Sequence, residues 1–234
     1  MIIEDLKKQL GLYADFEKAN ILQRFFKTGK GQYGEGDIFL GIIVPNTRIV
    51  AKKFTDLPLT EIKKILYSRV HEERLCALLI LVEKFAVANL EDRKKIFDFY
   101  IKNAKQANNW DLVDLSAPKI VGEYLLNKNK VILYNFAKSK NLWEKRISIL
   151  STLTFIKYQK YKDSFKIAEI LMNDKHDLIH KAVGWMLREV GKRDLIQEEK
   201  FLQKYGKTMP RTMLRYATEK FPEEKRIKYL KNII

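Results

Sequence analysis

Residues 108–126 read N-N-W-D-L-V-D-L-S-A-P-K-I-V-G-E-Y-L-L. Leu112, Val113, Ile120, Val121, Tyr124 and Leu125 recur at helical spacing, which predicts a helix with one buried stripe. Trp110 and Asp114 are four apart on it, so an indole and a carboxylate lie one turn from each other on a single face. Outward from this stretch, similar segments return. Arg74 in E-R-L-C-A-L-L-I-L, Arg146 in K-R-I-S-I-L-S-T-L and Lys181 in H-K-A-V-G-W-M-L mark comparable helices, and Trp110 falls midway between the first two. The anchors are 36, 36 and 35 residues apart, inside the range of two-helix solenoid repeats.

Each of these longer helices is preceded by a shorter one. The pattern predicts pairs at 60–68 and 72–87, 90–104 and 109–126, 130–138 and 142–160, and 164–172 and 177–191, with Asn, Asp, Lys and Gly at the joints. A weaker unit at 193–205 and 211–220 closes the stack, and Pro222 ends it. No alternating strand pattern occurs beyond Pro45. The expectation is an all-α superhelical solenoid whose second helices line one concave basic wall. It forms one domain over 1–234: N-terminal helices and a Gly-rich loop in 1–45, repeats over about 46–220, and a short C-terminal helix at 222–234.

Ahead of the repeats, 2–10 and 15–28 read as two helices. The second carries Phe16, Ile21, Leu22, Phe25 and Phe26, with Asn20, Gln23, Arg24 and Lys27 on its polar side. Residues 29–37, G-K-G-Q-Y-G-E-G-D, hold too many glycines for a regular element and predict a mobile surface loop. A nucleoside triphosphate loop is excluded, because position 24 is Arg where that motif needs Gly and Lys30 is followed by Gly31.

Composition narrows the classes. The chain has 234 residues, 46% of them apolar and 12% aromatic, enough for a sizeable core. A formal charge of +16 attracts polyanions. The single cysteine, Cys76, excludes an internal disulfide framework, suits a reducing cytosol, and among Leu75, Ala77 and Leu78 reads as buried and inert. Glu4 and Asp5 argue against a secretory signal, and the longest apolar run, 75–82, is too short to span a bilayer. A cytoplasmic monomer without membrane contact is expected. His176 and His180 share a helical face, but no Cys or third His lies near them in sequence, so no metal site is expected.

The repeat register isolates one residue. Four positions after each anchor come Leu78, Asp114, Leu150 and Trp185, so a single acid occupies a semi-buried register otherwise filled by apolar or aromatic side chains. An ionised carboxylate there costs on the order of several kcal/mol unless it is partnered. Either it forms a structural ion pair with a base of the next repeat, for example Arg146, or it is a catalytic carboxylate flanked by Trp110 and Trp185. The indoles also have a plain reading as packing residues, which is the one given to Trp143. Gly184, just before Trp185, leaves room for the close approach of another backbone.

The segments F-L-G-I-I-V-P (39–45), N-W-D-L-V-D (109–114), N-L-W-E-K-R (141–146) and H-K-A-V-G-W-M-L-R-E (180–189) resemble the AlkD-type DNA alkylation-repair glycosylases, which are built of HEAT-like repeats. The likeness runs from about Phe16 to Phe221. It implies hydrolysis of the N-glycosidic bond of cationic N3- and N7-alkylated purines in double-stranded DNA, with no metal or organic cofactor. By the same resemblance Trp110 and Trp185 hold the deoxyribose, Asp114 lies beside its anomeric carbon, and Arg146 contacts the backbone at the lesion. Residues 20–28 resemble the family's minor-groove-probing helix and supply Arg24 and Lys27 as DNA contacts. Two departures stand out: Asn109 occupies a position where the family can have a second Trp, and the long Gly-rich loop follows the probing helix.

Chemistry agrees with that expectation. An alkylpurine cation leaves as a neutral base without a general acid, so one carboxylate suffices to stabilise an oxocarbenium-like sugar and orient water. Indole faces would add about 0.5 to 2 kcal/mol each. Lys145, Arg146, Lys181, Arg188, Arg211 and Arg215 are candidates for phosphate contacts, and such binding falls steeply with salt. The alternatives are a catalytically silent DNA-binding relative and a helical-repeat scaffold for an acidic protein partner.

Overall fold

The structure is a computed structural model and describes residues 2–231 and 233. Its regular elements are helical, and among the described residues the only extended pairing is a parallel bridge between Ile38 and Val70. The chain divides into two compact units, Met1–Ser116 and Ala117–Ile234.

The first unit contains α1 (Ile3–Gly11), α2 (Phe16–Phe25), α3 (Val44–Lys53), α4 (Leu59–Leu66), α5 (His71–Val87), α6 (Leu90–Lys102) and most of α7 (Trp110–Ala117). It is organised round α5, which packs against α3, α4 and α6. Residues 71–82 of α5 are buried without a break, as expected of a helix enclosed on every side. Cys76 lies fully buried there, and burial, with Glu73 adding to it, pushes its thiol up to about 12. Its burial is what its neighbours in sequence predicted.

The second unit begins with a π-helical turn, Pro118–Gly122, and continues through α8 (Glu123–Leu125), α9 (Val131–Ala137), α10 (Leu142–Lys157), α11 (Lys162–Leu171), α12 (Asp177–Gly191), α13 (Leu195–Tyr205), α14 (Arg211–Ala217) and α15 (Glu223–Leu230). Here the repeat is plain. The second helices α10, α12 and α14 pack one on the next, while α9 packs on α10, α11 on both α10 and α12, and α13 on α12. Side-chain caps fix several helix starts: Asn89 for α6, Asn141 for α10, His176 for α12 and Asp194 for α13.

Three local expectations change. The helix anticipated over 108–126 widens into a π turn at Pro118, because proline has no N–H to donate to the carbonyl of Asp114 four residues earlier. The hydroxyl of Thr154 donates to the Pro118 carbonyl at 2.7 Å, and Gly122 lies where a Cβ would come 2.5 Å from the Ser151 carbonyl oxygen. The second helix ends at Phe25 rather than at 28, and buries none of its residues: Phe16, Ile21 and Phe25 are exposed. The Gly-rich stretch is exposed only in part. Gly34 is buried, and the chain returns to the interior at Asp37 and Phe39. At Gly41 (φ 82°) it passes so close to the start of α2 that a Cβ would fall 2.0 Å from the Asp15 carbonyl oxygen.

Candidate active site

Asn109 starts α7. Its side-chain oxygen accepts from the Trp110 N–H at 2.8 Å, and the residue is fully buried, so it fills the interior. One turn apart, Trp110 and Asp114 are both half-buried. One face of the Trp110 indole is covered by Phe26, stacked at 5.1 Å and 15°, and Phe25 meets it edge-on at 6.0 Å. Aromatic cover beside Trp110 therefore comes from the end of α2. In the sequence these two phenylalanines were visible only as part of an apolar pattern. Asp114 lies near the buried Tyr100 hydroxyl, which shares a 2.8 Å hydrogen bond with Ser116. Burial pushes that phenol up, the Ser116 bond opposes the shift, and the charge of Asp114 adds to it.

Beneath this face lies a polar cluster that sequence reasoning missed. α5 opens with His71, Glu72, Glu73 and Arg74, all buried. His71 Nε2 is 2.8 Å from Asp111 Oδ2, and its Nδ1 is 3.5 Å from Asp37 Oδ2. Arg74 pairs with Asp37 at 2.7 Å and donates to the Ser68 carbonyl at 2.9 Å. The Glu72 carboxylate accepts from the N–H groups of Leu40, Gly41 and Ile42. Glu73 pairs with Lys7 at 3.1 Å. The available signal was H-E-E-R at 71–74, four consecutive polar residues directly ahead of the apolar run 75–82.

In the second unit Trp185 is half-buried on α12, and its indole N–H donates to Glu189 at 3.3 Å. Glu189 is itself held by Lys192 and Arg193, and these contacts lower its pKa against the opposing effect of burial. Gly184 brings α12 against α14: a Cβ there would lie 2.4 Å from the Met213 carbonyl oxygen. Trp143 is buried in the core. Arg146 is also buried, and donates to the Leu178 carbonyl at 2.7 Å.

The remaining cations differ in their engagements. Lys145 pairs with Asp174 at 2.5 Å, Lys181 with Asp177 at 2.7 Å, and Arg188 with Glu219. Arg24, Lys27, Arg211 and Arg215 are exposed. His176 and His180 have local work: His176 Nδ1 accepts from the Leu178 N–H at 3.1 Å, and His180 Nε2 is bonded to the Asp174 carbonyl. No group of three or more metal-ligating side chains occurs among the described residues. No helix among them is long and apolar enough to cross a membrane.

Stacked helix pairs, a strong positive charge, and an indole and carboxylate on one helical turn define a helical-repeat protein suited to polyanionic partners. More narrowly, the chain belongs to the DNA alkylation repair enzyme family, whose model matches residues 6–221. That membership supports a role in the repair of alkylated DNA. Among solved structures, a protein described as a predicted DNA alkylation repair enzyme from Enterococcus faecalis shares the fold with a TM-score of 0.71 at 18% identity. The likeness covers 90% of this chain and 97% of that one. A comparison with curated proteins finds no match.

Proposed function

We propose that the chain is a monofunctional DNA glycosylase that hydrolyses the N-glycosidic bond of cationic N3- and N7-alkylpurines in double-stranded DNA. The observation that carries this reading is the pairing of Trp110 with Asp114 on successive turns of α7, both half-buried, in a chain of the DNA alkylation repair family. In the proposed mechanism the alkylated base departs as a neutral leaving group, taking the electron pair of the glycosidic bond. Asp114 stabilises the cationic sugar and orients the water that adds to it. By the family resemblance, the indoles of Trp110 and Trp185 contact the sugar through their ring faces.

Arg146 belongs to this reading as a contact to the backbone at the lesion. Its bond to the Leu178 carbonyl fixes the guanidinium at the first turn of α12. Arg24, Lys27, Lys145, Lys181, Arg188, Arg211 and Arg215 are proposed phosphate contacts, and the exposed members are the strongest candidates. The chain acts in the cytoplasm as a monomer, without metal or organic cofactor.

The test is release of 7-methylguanine from methylated duplex DNA. The wild type should release it, and Asp114→Asn should do so at least about tenfold more slowly, a loss of roughly 1.4 kcal/mol of transition-state stabilisation. Trp143→Phe should leave release nearly unchanged. Equal rates for wild type and Asp114→Asn would remove the carboxylate from the mechanism. Salt-sensitive duplex binding with no release by the wild type would favour a silent DNA-binding relative.

A further inference from the structure

We infer that His71 is a positioning residue for the site: held as an imidazolium between Asp37 and Asp111, it ties the end of the Gly-rich stretch to the start of α7 and sets the plane of the Trp110 indole through Phe39 and Phe26. The inference rests on the proposed roles of Trp110 and Asp114 and deepens them.

Geometry requires the charged ring. Both nitrogens of His71 face carboxylate oxygens, at 2.8 and 3.5 Å. A neutral imidazole has one N–H and one lone pair, so it would turn that lone pair toward an anion. The surrounding charges also balance only when the ring is protonated: Asp37 from the loop and Asp111 from α7 face Arg74 and His71 from α5. The remaining acids of that turn are engaged elsewhere, Glu72 with backbone N–H groups and Glu73 with Lys7 of α1. Burial alone would push the imidazole down, but Asp111 and then Asp37 outweigh it and raise it to about 9, with Arg74 opposing them.

The route to the site is short. Asp111 follows Trp110 in α7, and its other oxygen accepts from the Leu112 N–H at 2.9 Å, so the bond to His71 anchors the first turn of that helix. A second path runs through rings. His71 stacks on Phe39 at 4.4 Å, Phe39 on Phe26 at 5.0 Å, and Phe26 on Trp110 at 5.1 Å. A protonated imidazole against an aromatic face gains from the ring quadrupole, so the same charge favours both paths. Loss of that proton removes one of the two carboxylate bonds and the cationic contact together.

The test uses full-length protein labelled with 5-fluorotryptophan, with the Trp110 resonance assigned by its absence in Trp110→Phe. His71→Gln should move that resonance and leave those of Trp143 and Trp185 in place. In the wild type the same shift should develop as pH rises through about 9, and in His71→Gln it should be absent. Carbon-13 labelling of the imidazoles should show His71 still protonated at pH 8, a measurement that needs no variant to fold. With methylated duplex, His71→Gln should lower kcat for release about tenfold while duplex affinity stays within about twofold. A His71 ring that titrates near 6.5, or a Trp110 resonance indifferent to the substitution, would overturn the inference. A wild type that releases no base would instead defeat the glycosylase reading, while the fluorine and carbon spectra still decide whether His71 positions Trp110.

Discussion

At Glu72 one side chain does for an irregular stretch what a neighbouring strand does for a sheet edge: its carboxylate accepts from three consecutive backbone N–H groups, at 2.9 to 3.1 Å. Glu72→Ala would leave these donors inside the protein without an acceptor, and should cost about 2 to 4 kcal/mol in urea unfolding. A variant as stable as the wild type would show that the stretch is held by other contacts. Glu198 is a buried acid in the opposite situation. Burial raises its pKa to about 9, the charge of Glu199 adds to the shift, and Arg188 opposes it. The unfolded chain releases this proton near 4.5 and the folded chain only near 9, so between those values the folded state binds more protons and stability falls as pH rises. Glu198→Gln removes that dependence and should be more stable than the wild type by about 1 to 3 kcal/mol at pH 8, the difference vanishing at pH 4. His71 titrates in the same alkaline direction for a different reason, since its raised pKa contributes stability below about 6.5 that is lost as pH rises through about 9. Glu198→Gln should leave that second loss intact, which separates the two groups.

Among the elements, the contact between α12 and α14 is set by an absent side chain. A Cβ on Gly184 would lie 2.4 Å from the Met213 carbonyl oxygen and 2.5 Å from the Tyr216 Cβ, atoms with little freedom to move aside. Gly184→Ala should therefore destabilise the chain by about 1 to 3 kcal/mol, although alanine is the better helix former by about 1 kcal/mol. An unfolding midpoint equal to or above that of the wild type would refute so close an approach. This contact was foreshadowed by a glycine in the middle of an otherwise apolar helical pattern. The helix pairs were equally legible, because helical periodicity and the recurrence at 36, 36 and 35 residues are properties of short windows. Pro118 was visible too, but whether a proline ends, kinks or widens a helix depends on what packs against it, here Ser151 and Thr154 of α10. The polar cluster was not legible: His71 meets Asp37 and Asp111 across 34 and 40 residues, and no local pattern pairs groups so far apart. The exposed apolar residues of α2 were misleading for a related reason, since a periodic stripe reports that a face is apolar and says nothing of what covers it.

For the whole molecule the informative quantity is where the charge resides. The first unit contains 19 basic and 16 acidic residues, whereas the second contains 26 and 13. Most of the net positive charge, +13 of +16, thus belongs to the unit of α10, α12 and α14, and the unit bearing Trp110 and Asp114 carries +3. A polyanion gains its affinity by releasing counterions, and the logarithm of that affinity falls with the logarithm of salt by about 0.9 for each phosphate neutralised. If duplex DNA is the partner, the slope should be set mostly by the second unit, with Arg24 and Lys27 as the contribution of the first. Arg211→Ala and Arg215→Ala, at two exposed positions of α14, should each reduce the slope by about 1. Lys52→Ala and Lys53→Ala, equally exposed at the end of α3, should leave it unchanged. Fluorescence anisotropy of an undamaged duplex, titrated from about 50 to 200 mM salt, reads these slopes without reference to base release. Equal reductions from both pairs would mean that the field of the whole chain, and not the charge of its second unit, holds the duplex.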